Sequence, residues 1–139
     1  MNAKEYLEQL GRIKRQIAVK QREAAMWREI ANSLGDRNDG DRVQSSGSQD
    51  KMADAIANAV DYEKDARMLT CYLVDLQHRI IGMIDGMETL DHSMVLKEYY
   101  VHGLSIVDIA NEWCMSCRNV KRKKSDALKA FGEKYFGKL

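Results

Sequence analysis

The chain has no proline in 139 residues, and two long stretches of it place apolar side chains in steps of three and four. Proline is the side chain that most surely stops a helix, so nothing interrupts either stretch. The first runs from Ala3, Tyr6, Leu10, Ile13 and Ile17 to Ala24, Trp27, Ala31 and Leu34, and only Lys20 breaks its stripe. The second runs from Met52, Ala55, Ala59 and Tyr62 through Ala66, Leu69, Leu73 and Leu76 to Ile80, Met83 and Met87, with no polar member. Such a seam is the signature of helices packed along their length. At 1.5 Å per residue each helix would extend about 50 Å, long enough to need a partner throughout.

Residues 35–49 read GDRNDGDRVQSSGSQ, rich in Gly, Asp and Ser and poor in large apolar groups, which predicts a mobile loop. Residues 1–87 are therefore expected to form a long antiparallel helical hairpin, a coiled coil serving oligomerisation or partner binding. Charge suits the pairing: residues 1–34 hold 7 Lys/Arg against 4 Asp/Glu, and residues 50–112 hold 5 against 12. Met68, Cys71, Tyr72, Ile81 and Ile84 make a further apolar strip on the second helix, away from its seam. Two packings would cover it, one against the C-terminal helices and one against a second copy of the chain, and periodicity does not choose between them.

Residues 88–139 read differently. Ser105 with Asp108, and Ser116 with Asn119, each place a hydroxyl where it can satisfy an amide at a helix start. Between them Ile106, Ile109, Ala110 and Trp113 recur at helical spacing, and Cys114-Met115 leaves only a few residues for the reversal. This is the pattern of a helix-turn-helix. In the helix after Ser116, 100° per residue puts Val120, Ala127 and Phe131 in one sector and Arg118, Arg122, Ser125 and Lys129 opposite. Lys123 and Lys124 flank the apolar sector, where stems can pack while the ammonium groups reach outward.

The fold class expected is thus all-α, a hairpin followed by a C-terminal helix-turn-helix domain. A net charge of +1 conceals polarity, because residues 116–139 carry 8 Lys/Arg and 2 Asp/Glu whereas residues 1–115 carry 14 and 19. A helix N-terminus adds free amides and partial positive charge, so side chains and dipole favour the same anionic partner. Double-stranded DNA is the partner these features imply. Arg118, Asn119 and Arg122 are the candidates for base edges, Arg matching guanine and Asn adenine. Ser116, Lys121, Lys123 and Lys124 are the candidates for phosphate positioning, and Ser125, on the outer face, completes the expected DNA-binding set.

The same segment resembles region 4 of sigma-70-type factors, through Leu96, Gly103, Ile109-Ala110, Ser116, Val120 and Ala127-Leu128. With Tyr6-Leu7, the SGSQDKM stretch from Ser46 to Met52 and Tyr99-Tyr100, the whole chain resembles phage late-gene regulators of the ArpU/RinA type. That resemblance implies a transcriptional regulator of a phage or prophage, acting in the cytoplasm of a bacterial host, with RNA polymerase as a possible second partner. Lys123 stands where sigma factors usually keep an apolar residue, and Cys117 where they often carry Arg. A two-fold dimer, the oligomer favoured here, would call for a palindromic site with half-sites about 34 Å apart or a multiple of it.

Other chemistry finds little support. Cys71, Cys114 and Cys117 do not make a disulfide framework, and the CxxC of Cys114 and Cys117 has no second pair to complete a zinc site. No nucleophile elbow, phosphate loop, HExxH or calcium loop is present, so neither enzyme activity nor a cofactor is expected. No stretch approaches the ~18 to 20 apolar residues of a membrane span, and the charged start MNAKEYLEQL argues against a secretory signal. Two alternatives stand beside the regulator: a DNA-packaging recognition subunit of the small-terminase kind, and a helical scaffold whose basic helix docks an acidic protein.

Overall fold

The computed structural model describes residues 1–37 and 46–137, with side chains for 1–35 and 49–137. Five helices follow in order: α1 (Ala3–Arg37), α2 (Ser46–Asp85), α3 (Leu90–Leu96), α4 (Ile106–Glu112) and α5 (Cys117–Tyr135). The fold is all-α, with α1 and α2 forming a long antiparallel hairpin ahead of the three shorter helices. Both long helices run into the segment expected to be a loop, α1 as far as Arg37 and α2 from Ser46. Lengthwise packing outweighs the weak helix propensity of Gly and Ser at these ends. Residues 38–45, the middle of that expected loop, lie outside the described residues.

The chain divides into two compact units, Lys14–Tyr72 and Met1–Ile13 with Leu73–Leu139, so α1 and α2 each contribute to both. In the first unit the seam is Ile17, Ala24 and Ala31 against Ala55, Ala59 and Ala66, all buried. Alanines at the contact let the two backbones approach closely. Lys20, the polar break in the stripe, keeps its stem in the seam and carries its ammonium to Asp65 at 3.8 Å, with the Tyr62 ring centroid 5.1 Å away. Arg28 binds Glu63 at 2.6 Å across the same pair of helices.

In the second unit the core is larger and less regular. Leu7, Leu10, Ile80, Ile84, Val95, Leu96, Ile109, Val120, Ala127 and Phe131 are all fully buried. The last turns of α5 pack on the first turn of α1: Tyr6 and Phe136 meet edge to face with centroids 5.4 Å apart, and a Cβ on Gly132 would lie 3.5 Å from that of Ala3. Tyr135 donates its hydroxyl to the Met83 carbonyl and Lys134 its ammonium to that of Gly86, fixing α5 to the end of α2. This part of the extra strip on α2 is covered, with Ile84 buried and Ile81 half-buried, while Met68, Cys71 and Tyr72 in the other unit stay exposed.

After α3 the backbone widens into a π-helical turn over Lys97–Val101. The wider turn changes the phase of the side chains, so the neighbours Val95 and Leu96 and then Tyr100 and Val101 all face inward. The Tyr100 hydroxyl is buried with no hydrogen-bond partner, and burial first, then Tyr99 and Glu8, pushes its pKa well up.

Candidate nucleic-acid interface

α5 begins where the sequence places it. The Ser116 hydroxyl accepts from the Asn119 amide at 3.1 Å, and the Ser105 hydroxyl accepts from Asp108 in the same way at the start of α4. Between the helices the chain reverses at Cys114, held at φ 53°. The Met115 amide donates to the Ala110 carbonyl at 2.9 Å across that reversal, closing α4 with the paired-carbonyl arrangement that usually has glycine at the left-handed position.

The inner face of α5 is Val120, Ala127 and Phe131, each fully buried, so the expected sector is the one that packs. Its outer face leaves Arg118, Lys121, Arg122 and Ser125 exposed. Arg122 donates to the Asn119 side-chain oxygen at 2.8 Å. Ser116, Arg118, Asn119 and Arg122 border an open depression of about 420 Å³ at the helix start. Four donor-rich side chains therefore converge where the helix dipole is positive.

The two remaining lysines behave differently from the expectation that their ammonium groups reach outward. Lys123 turns to Asp91 on α3 at 3.1 Å, with only 22% of its side chain exposed. Lys124 sits over the Tyr99 ring, its ammonium 3.9 Å from the centroid, and 5.8 Å from that of Tyr100. A helical wheel gives the direction of these side chains but not the acidic and aromatic neighbours that α3 and the π-helical turn supply. Asp91, Tyr99 and Tyr135 are the site-supporting residues that periodicity did not single out.

Cys114 and Cys117 are free thiols, and among the described residues no three His, Cys, Asp or Glu side chains gather closely enough to hold a metal ion. No described helix is long and apolar enough to cross a membrane. No family model, no curated protein and no solved structure matches this chain.

Proposed function

We propose that the chain is a sequence-specific DNA-binding transcriptional regulator, with α3 to α5 serving as a sigma-region-4-like helix-turn-helix domain. The observation that carries this reading is the outer face of α5. Arg118, Lys121 and Arg122 stand exposed beside a capped helix N-terminus, while the opposite face is fully buried. Basic charge is concentrated in this part of the chain, 8 Lys/Arg against 2 Asp/Glu in residues 116–139. A helix of this kind enters the major groove with its first turns leading.

In that pose Arg118 and Arg122 read base edges, and the bond from Arg122 to Asn119 holds the guanidinium over the start of the helix. Lys121 and the amides behind Ser116 meet phosphates. Lys123 and Lys124 contribute chiefly by holding α5 on α3 and the π-helical turn. The resemblance to ArpU/RinA-type proteins supports regulation of phage late genes, with a contact to RNA polymerase as its second element. The test is a mutant pair on a duplex selected by the full chain. Arg122→Ala should cost about 1 to 3 kcal/mol and relax one base preference, whereas Lys121→Ala should weaken all sequences alike and lower the salt slope by about one unit. Unchanged binding in both would sink the assignment.

A further inference from the structure

We infer that the outer ridge of α5 selects two G·C pairs one to two base-pair steps apart, read by Arg118 and Arg122, and that Asn119 is a positioning residue for Arg122 and not an adenine reader. This deepens the proposed DNA-binding reading and rests on it. Around the helix Arg118 and Arg122 lie about 40° apart, on the side opposite buried Val120, while Asn119 stands about 100° round from Arg118. Both arginines are exposed and Asn119 is half-buried. The asparagine thus flanks the ridge that the arginines form.

Hydrogen bonding decides what each group has left to offer. Arg122 Nη2 donates to Asn119 Oδ1 at 2.8 Å, and the Asn119 backbone amide donates to the Ser116 hydroxyl at 3.1 Å. A guanidinium has two edges that present paired N–H groups, and one Nη2 hydrogen belongs to each, so a single bond to Asn119 leaves one edge whole. That edge fits guanine O6 and N7. Adenine needs both ends of an asparagine amide, the oxygen accepting from N6 and the nitrogen donating to N7. In Asn119 the oxygen already holds Arg122, and the guanidinium stands beside it. The same bond orders a long side chain before DNA arrives, which lowers the entropy lost on contact.

Helix geometry sets the spacing of the bases. Ser116, Arg118, Asn119 and Arg122 border one open depression of about 420 Å³, and none of the four is acidic. Four residues of helix separate the two arginine stems by about 6 Å along the axis. Base pairs stack ~3.4 Å apart, so a helix following the groove presents the arginines to pairs one to two steps apart. Guanine offers each arginine two acceptors, whereas adenine replaces one of them with an amino group.

Competition binding of the full chain to a duplex selected from random DNA, and to each of its single-pair variants, decides it. The motif is expected to hold two G·C pairs one to two steps apart, one flattened by Arg118→Ala and the other by Arg122→Ala. Asn119→Ala keeps the backbone amide that Ser116 caps. It should lower the guanine preference at the Arg122 pair about two- to tenfold through lost ordering of Arg122, with no further loss in an Arg122→Ala background. Asn119→Asp retains the acceptor oxygen but not the amide donor, so it should restore the guanine preference while weakening all sequences alike. Four results would each overturn the inference while leaving DNA binding intact: an A·T pair whose preference vanishes in both Asn119 variants, a motif without G·C at the two flattened pairs, an undiminished guanine preference in Asn119→Ala, or an Asn119→Asp variant as indifferent to guanine as Asn119→Ala. A chain that shifts no duplex at low salt would remove the DNA-binding reading and this inference with it.

Discussion

Lys123 gives the sharpest internal test, because one ammonium group cannot fully serve both the fold and a phosphate. Its Nζ lies 3.1 Å from Asp91, with side-chain exposures of 22% and 65%. At an effective dielectric constant near 20, two charges ~3 Å apart attract by about 5 kcal/mol before any cost is counted. Solvation of the well-exposed Asp91 and the ordering of a long side chain cancel most of that. Exposed pairs retain about 0.2 to 1 kcal/mol, and the half-buried lysine places this one toward the upper end of that range. A double-mutant cycle of Lys123→Met and Asp91→Asn, read by urea unfolding at low salt, should therefore return a coupling of about 0.5 to 1 kcal/mol. Methionine keeps the packed stem, and the cycle cancels the separate interaction of Asp91 with the first turn of α3. On DNA, Lys123→Met should change the salt slope by less than half the ~0.9 unit expected for a lysine committed to a phosphate, and Lys121→Met by the whole of it. Zero coupling together with a full loss of slope at Lys123 would refute the division of labour drawn here.

Three further outcomes follow from the second unit. A Cβ on Gly86 would stand 2.5 Å from the Tyr135 hydroxyl, whereas one on Gly82 meets nothing within 4 Å. Gly86→Ala should thus lose the Tyr135–Met83 hydrogen bond and about 0.5 to 1.5 kcal/mol, while Gly82→Ala gains about 0.5 to 1 kcal/mol, both measured by urea midpoint. Tyr100→Phe removes a buried, unpartnered hydroxyl and should stabilise the fold by about 1 kcal/mol in thermal unfolding. Because its folded pKa lies above the unfolded value of 10, the wild type should lose stability as pH rises past 10, a loss smaller in the variant. Cys114→Gly relieves a left-handed position that costs an L-residue about 1 to 2 kcal/mol, offset in part by glycine's freedom when unfolded, so calorimetry should show a net gain of about 0.5 to 1 kcal/mol.

Much of the architecture was legible because it rests on local rules. The hydroxyl caps at Ser105 and Ser116 fix where α4 and α5 begin, and the buried sector Val120, Ala127 and Phe131 follows from helical phase alone. What sequence left unread depends on neighbours distant in the chain. Leu7 falls outside the stripe of Tyr6 and Leu10, yet it is fully buried, as a helix packed on more than one side requires. Ile84 belongs to the strip whose cover periodicity does not choose, and it is buried within the unit that contains α5. The π-helical turn at Lys97–Val101 departs from the regular 3.6-residue period, and it brings Tyr99 under Lys124. Ser46–Gln49, loop-like by composition, is helical because α2 is stabilised along its length.

The proposal that α5 reads DNA is tested most directly by selecting bound fragments from random duplex DNA with the full chain at low salt. The account predicts that a defined motif is recovered, that its affinity falls steeply with added salt, and that Arg118→Ala and Arg122→Ala each degrade a different position of it. Recovery of no enriched sequence, with no mobility shift on any duplex at low salt, would contradict it.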